Sequence, residues 1–240
     1  VDVDFVLLRE LVETGSAIDA ARDGGRSEAS IRAVESAVGP LSRSYRWWLT
    51  HYGGGTVGGT EIATVVPGPE TFTGRLDGER LCFYQEADCG DSYHFALDRR
   101  VGEEHAVVRR DHRTGDEEQV AESFAGFLST REALAAGLGD GPNPTIARLW
   151  RSTPGVLLPD GVLVYGPQAI RERNETYEVR EYAPHWVLIG DDSGGGGLLM
   201  RRRGRDRTSV FRLDLGAIEP DVERAGDRLT DDLIGWLAAR

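Results

Sequence analysis

The sequence predicts an α+β fold of two tandem units, each a mostly antiparallel sheet packed against helices. Three observations lead there. In residues 41–55, LSRSYRWWLTHYGGG, the side chains Tyr45, Trp48, Leu49 and Tyr52 fall at i, i+3, i+4 and i+7, one face of a helix. After residue 55 the apolar pattern turns from helical to extended, and it turns back at Phe124. The second half then repeats this order, with Cys82 lying 105 residues before Val187 and Tyr93 lying 105 before Leu198.

Each element of the first half has its own signal. Phe5, Leu8, Leu11 and Val12 share one helical face, ended by Thr14-Gly15-Ser16. A polar loop over 22–26 precedes Ser27, which reads as the cap of a helix with Ile31, Val34 and Val38 inward, closed by Pro40. The aromatic helix follows, with Ser42 or Ser44 expected to accept from its first free amides. Gly53, Gly54 and Gly55 stop it. Its aromatics read as core that a sheet must cover, rather than as ligand-stacking rings. Residues 60–66 read as a strand, 67–78 as a turn-rich loop, and 81–84 as a short buried strand. Residues 88–91 turn the chain into a return strand over 93–97. A turn over 99–104, a strand over 106–109, a turn over 113–116 and a strand near Gln119 complete the meander. Phe124, Phe127, Leu128 and Leu134 then mark a closing helix.

Residues 137–144, GLGDGPNP, form the best linker, so the units are placed at 1–140 and 141–240. Beyond it come a short helix around 146–150, a strand at 162–165 and a helix opened by Pro167 that carries Ile170 and Tyr177. Strands follow at 186–189, 198–200 and 210–215, with 190–197 as a turn. Thr230 is expected to cap a last helix with Asp231 and Asp232 in its first turn and Leu229, Leu233, Trp236 and Leu237 inward. Ala106 lies 104 residues before Val210, and Phe127 lies 109 before Trp236, which continues the repeat. The second unit lacks a copy of the Tyr-Arg-Trp-Trp-Leu helix, so its helical layer should be thinner.

The chain is acidic, with a formal net charge of −12, which argues against a nucleic-acid surface as the main function. It suits a basic protein partner. The charge is uneven: residues 1–141 hold 25 acidic and 14 basic side chains, or −11, and residues 142–240 hold 15 and 14, or −1. There is no lysine, which excludes a Schiff-base lysine, a P-loop lysine and a Ser–Lys dyad. Cys82 and Cys89, the only cysteines, are no disulfide framework and are expected as reduced thiols. No apolar run has membrane-helix length and no signal-peptide pattern opens the sequence, so a cytoplasmic protein without membrane contact is expected.

Several patterns invite a chemical reading and fall short of it. Gly53-x-Gly55-x-x-Gly58 has the letters of a dinucleotide fingerprint, but a helix precedes it and a strand follows, the reverse of what that site needs. Asp192-Ser193-Gly194-Gly195 resembles the serine segment of chymotrypsin-like proteases. No histidine stands in a matching context, so a hydrolase using the 191–195 turn, Asp191 to Gly195, is an alternative only. His94, His105 and His112 lie on or near three successive strands and offer a metal reading that lacks any ligand spacing. Asp191 and Asp192 with Asp160 have the same weakness. Five arginines between Met200 and Arg207 suit phosphate, an acidic protein, or a solvated edge that resists sheet pairing. No catalytic, cofactor-binding or metal-binding residue is assigned, and no cofactor is expected. The candidate partner-binding residues are the carboxylates at strand ends, Asp88, Asp91, Glu103, Glu104, Asp116, Glu117 and Glu118, on the more acidic unit.

Ile31-x-x-Val34-Glu35, then Pro40-Leu41-x-x-x-Tyr45-Arg46-x-x-Leu49 and Gly53-Gly54, resembles the opening of the SUKH superfamily. That superfamily includes fungal cell-wall-assembly regulators of the Smi/Knr type and bacterial toxin-immunity proteins. Cys89-Gly90-Asp91-Ser92-Tyr93-His94-Phe95 resembles its glycine-aspartate turn and following strand. The segments from Val107 to His112 and from Ala121 to Leu128 resemble its later strand and closing helix, so the resemblance covers about residues 27–130. In the second half, Tyr182-Ala183-Pro184 and the run from Val187 to Gly195 resemble the family's central strand and turn, without the Tyr-Arg-x-x-Leu helix. The resemblance implies a small α+β fold without catalytic residues. In bacteria it implies an immunity protein that neutralises a cognate toxin, often a nuclease, with a multi-partner regulatory scaffold as the alternative.

Overall fold

A computed structural model of the chain describes every residue except 23, 67, 69 and 140. Three helices open it: α1 (Phe5–Thr14), α2 (Glu28–Val38) and α3 (Arg43–His51), with the short strand β1 (Ile18–Ala20) after α1. The aromatic face of α3 is buried as expected: Tyr45, Trp48 and Leu49 are 0% exposed and Tyr52 is 4% exposed. They meet Phe83, Phe95 and Phe124, with Tyr45 4.9 Å from Phe95 and 5.0 Å from Phe124 between ring centroids. Such tilted and edge contacts suit the ring quadrupole and add to the burial of area.

The expected strand over 60–66 is broken. A hairpin of β2 (Gly55–Val57) and β3 (Thr60–Glu61) pairs with β1, and β4 (Val65–Val66) pairs with β5 (Thr71–Phe72). The expected loop over 67–78 therefore carries β5 and β6 (Arg75–Asp77), its residues 67 and 69 lying outside the described ones. The polar loop 22–26 likewise includes residue 23, which is not described. The main sheet is an antiparallel meander of β6, β7 (Arg80–Gln85), β8 (Ser92–Val101), β9 (Glu104–Arg110) and β10 (Glu117–Ala121). β8 and β9 run almost to their shared turn, so the expected turn over 99–104 is shorter than read. One face of this sheet packs Leu81, Phe83, Phe95 and Val107 against the helices. The other holds Ala96, Ala106 and Val108.

Helix α4 (Phe124–Ala135) crosses from one apolar cluster to the other: Phe124 and Phe127 belong to the first, Ala133 to the second. The second cluster is built by α5 (Pro144–Trp150), β11 (Val156–Leu157), β12 (Leu163–Val164), α6 (Pro167–Thr176), α7 (Val179–Tyr182), β13 (Trp186–Asp191), β14 (Gly196–Arg201), β15 (Val210–Asp214), α8 (Val222–Ala225), β16 (Asp227–Thr230) and α9 (Leu233–Ala238). Its strands form a six-stranded antiparallel meander in chain order. The two meanders share details. The β7–β8 hairpin of one and the β13–β14 hairpin of the other each carry a register shift, at 82–84 and at 188–190. A positive-φ glycine precedes the return strand in each, Gly90 at φ 82° and Gly195 at φ 97°, 105 residues apart.

Three local readings are corrected. Thr230 ends β16 instead of capping the last helix, because Asp227–Thr230 pairs with β15; Asp232 holds the N-cap position and Leu229 sits in the strand. In the expected linker, Asn143 and Pro144 already begin α5, with the Asn143 side chain accepting from Thr145 N at 2.7 Å. Residue 140 lies outside the described residues. Neither Ser42 nor Ser44 bonds the first free amides of α3 as a cap, for a reason that lies in the candidate site.

Candidate functional site

In an antiparallel meander, alternate turns lie at the same end of the sheet. The β7–β8 turn (86–91) and the β9–β10 turn (111–116) therefore share one end, and the β8–β9 turn lies at the other. At roughly 3.3 Å per residue, the length of β8 separates the two ends by about 30 Å. The seven carboxylates thus do not form one surface. Asp88, Asp91, Asp116, Glu117 and Glu118 are at the first end, and Glu103 and Glu104 at the second.

The first end is organised by Asp91, which is 7% exposed. Its Oδ1 accepts from the backbone N–H of His112 at 3.0 Å and contacts His112 Nδ1 at 2.9 Å, which clamps the two turns together. The His112 bonds hold the Asp91 carboxyl below its ordinary value. Gly90, in the left-handed region at φ 82°, lets the turn close beneath the His112 ring. Beside it, Glu86 accepts from Cys89 Sγ at 2.9 Å and Tyr93 Oη at 3.1 Å and pairs with Arg131 at 2.5 Å. Burial pushes the Glu86 carboxyl up, but Cys89, Arg131 and Tyr93 together pull it below its usual range. Asp88 and Asp116 are exposed. Glu118 is exposed and reaches Arg109 at 3.3 Å. Glu117 lies between Arg80 at 3.0 Å and Arg110 at 2.9 Å, which outweigh burial and keep it ionised.

At the far end, Glu103 is exposed and pairs with Arg43 at 3.4 Å. Glu104 turns inward: its two oxygens accept from Ser44 N at 2.8 Å and Ser44 Oγ at 2.7 Å. The free amide at the start of α3 is thus satisfied by a strand carboxylate, and Ser42 Oγ instead accepts from His105 N at 2.9 Å. Burial raises the Glu104 carboxyl to about 6. Asp91 and Glu104 are therefore committed within the fold, and Glu117, although exposed, is held between two arginines, leaving Asp88, Asp116 and Glu118 as the other exposed carboxylates of the first end.

The three histidines do not converge. His94 Nε2 contacts Ser92 Oγ at 2.8 Å, His105 Nδ1 contacts Ser42 Oγ at 3.3 Å, and His112 contacts Asp91. Among the described residues, the side chains close enough to share a cation are Glu86, Cys89 and Asp91 in one set and Asp91, Asp111 and His112 in another, and neither set holds two histidines. In the 191–195 turn, Ser193 Oγ donates to Gly161 O at 2.8 Å, so it is not aimed at a base. Asp192 accepts from Gly194 N and Gly196 N at 2.9 and 2.7 Å, and Asp191 Oδ2 accepts from Tyr165 Oη at 2.5 Å. Asp160 pairs with Arg240 at 2.6 Å. These carboxylates hold hairpins in shape. Sequence reasoning missed Glu86, Glu132 and Arg131. Glu132 is 3% exposed and accepts from Ser16 N at 3.0 Å and Ala17 N at 2.8 Å, more than a hundred residues away in the chain.

Residues 25–130 match the model of the SMI1 / KNR4 family (SUKH-1). Over these residues the chain is similar to the SUKH superfamily. No curated protein matches the chain. The matched segment runs from the cap of α2 to the middle of α4, and so contains α3, the whole main meander and both acidic turns.

Proposed function

We propose that this protein is a non-enzymatic immunity protein that binds and neutralises a cognate, basic toxin in the bacterial cytoplasm. The observation that carries the reading is the exposed acidic end of the SUKH meander, where Asp88, Asp116 and Glu118 stand beside the clamped Asp91–His112 turns. Such a preorganised anionic edge steers a cationic partner and fixes its register at little entropic cost. A reduced cytosolic state suits the free Cys82 and Cys89. No helix among the described residues is long and apolar enough to cross a membrane. The second meander serves as a diverged second SUKH-like unit, supported by its matching strand order, register shift and glycine.

The test is co-expression with the toxin encoded in the neighbouring gene, scored by growth, together with purification of the complex. Protection and a stable complex are expected. Growth arrest with no complex, while the protein co-purifies with several unrelated cellular proteins, would replace this reading with a regulatory scaffold.

A further inference from the structure

The second unit carries a groove of about 1070 Å³ outside the segment that matches the family. One wall is α6 and α7, with Arg171, Glu175 and Arg180; the other is the start of β13 and the loop after β14, with Arg202 and Arg203. Ile170 and Val187, which are buried, and Pro184 give it an apolar lining. Arg201, at its edge, is neutralised by Glu223 at 2.8 Å. Arg202 is not. It is half-buried, and its Nε donates to Trp186 O, a neutral carbonyl, at 2.7 Å. Among the described residues no carboxylate lies within ion-pair distance of Arg180, Arg202 or Arg203. Burial first, and then the charge of Arg180, push the Arg202 guanidinium down from its ordinary value. Holding a half-buried guanidinium beside a second cation is costly without an anion, and an Arg–carboxylate pair is the strong, directional contact that relieves it.

The chemistry of the groove narrows the occupant. Glu175, Glu178 and Glu181 also line it, so a continuous run of phosphates would meet carboxylates as well as arginines. Isolated carboxylates spaced by apolar side chains meet both the arginines and the Ile170–Val187 lining. We propose that this groove docks an acidic, partly apolar polypeptide segment of a partner protein, gripped by Arg180, Arg202 and Arg203. The sign is opposite to that of the acidic turns, so the chain presents two surfaces of different preference, and this one does not depend on the toxin reading.

The test is fluorescence anisotropy at low salt with a short labelled peptide carrying Glu at alternate positions and Leu and Ser between. A Lys-for-Glu version and a single-stranded DNA of similar charge serve as comparisons. Binding of the Glu peptide alone is expected, weakened by about tenfold or more in Arg180→Glu/Arg203→Glu. Arg99→Glu/Arg100→Glu makes the same change in net charge on exposed positions of β8 and should weaken binding far less. Melting temperatures of both variants, close to wild type, establish that they fold. No binding of the Glu peptide by the intact protein, equal weakening by the two double variants, or tighter binding of the DNA would each overturn the proposal.

Discussion

Ser44 gives both its backbone N–H and its hydroxyl to the Glu104 carboxylate, at 2.8 and 2.7 Å, and its Oγ also accepts from Ala125 N at 3.2 Å. One fully buried serine thus joins the first turn of α3, the start of β9 and the first turn of α4. Ser44→Ala should cost about 1–3 kcal/mol, because it leaves buried partners unsatisfied. Urea unfolding checks this, and a change under about 0.5 kcal/mol would show that the three elements do not depend on it.

Glu104 also makes stability depend on pH. Its folded-state pKa of about 6 lies above its ordinary value of 4.5, so the folded state holds the proton more tightly. Its contribution is full below about pH 4.5 and is lost as pH rises through 6, a difference of about 2 kcal/mol. Relative to Glu104→Gln, which cannot titrate, the wild type should lose that amount between pH 4.5 and 7. A pH-independent difference between the two proteins would sink the assignment.

His94 acts with the opposite sign. Burial, then the charge of Arg110, lower its pKa from 6.5 to about 4. The unfolded chain therefore binds a proton that the folded one refuses, and stability falls as pH drops from 6.5 towards 4, by up to about 3 kcal/mol. His94 is 1% exposed, its Nδ1 has no partner among the described residues, and it lies on the face that carries Ala96 and Val108, so His94→Leu keeps an apolar side chain there and removes the titration. The variant should be less acid-sensitive than wild type, with melting temperatures at pH 5 and pH 7 closer together. An unchanged gap would assign the acid sensitivity to other groups.

Gly126 reverses the usual helix rule. Alanine in a helix interior normally gains about 1 kcal/mol over glycine. Here a Cβ would lie 1.8 Å from Arg151 O, where the chain after α5 presses on α4. Around it, Glu122 N donates to Arg151 O at 2.8 Å and Ser123 Oγ donates to Ser152 O at 2.5 Å. Gly126→Ala should therefore destabilise by about 2 kcal/mol or more, as overpacked sites do. A stabilised variant would show that this close approach relaxes freely.

What was legible in the sequence is what one segment decides for itself. The faces of α1 and α3, the strands around Phe83 and Phe95, and the Ser27 cap each follow from local spacing. The strands that escaped are two to four residues long and exist through distant partners, as when Ile18 pairs with Val57. The site divides in the same way. The letters around Gly90 and Asp91 disclosed a turn, but only His112, 21 residues on, makes Asp91 a clamp. Seven carboxylates could be counted in sequence, yet their partners could not. Ser44 lies 60 residues before Glu104, and nothing local says which acid turns inward.

The units are expected to part within residues 137–142. Gly137, Gly139 and Gly141 all have positive φ there, whereas Asn143 is 2% exposed and its side chain donates to Arg201 O at 2.7 Å and Arg207 O at 3.2 Å. A protease needs several residues of extended, accessible backbone, which Asn143 denies it. Limited proteolysis should thus cut before residue 143. Dominant cleavage inside 143–150, or none before 143, would place the boundary elsewhere.

Charge reversal tests which end of the meander would meet the proposed toxin. Asp88, Asp116 and Glu118 are exposed at one end, and Glu103 stands about 30 Å away at the other. Surface substitutions of this kind usually shift stability by about 0.5 kcal/mol or less, so the melting temperature should barely move. If the toxin is basic and docks at the first end, Asp88→Arg/Asp116→Arg/Glu118→Arg slows association and flattens its salt dependence. The set Glu172→Arg/Glu219→Arg/Glu223→Arg makes the same change in net charge on the second unit and should matter less. Equal effects from the two sets would leave only net charge as the cause. Glu103→Arg alone separates the ends: a larger loss from it than from any single change among the three would move the docking surface to the β8–β9 turn, beside the Arg43 pair.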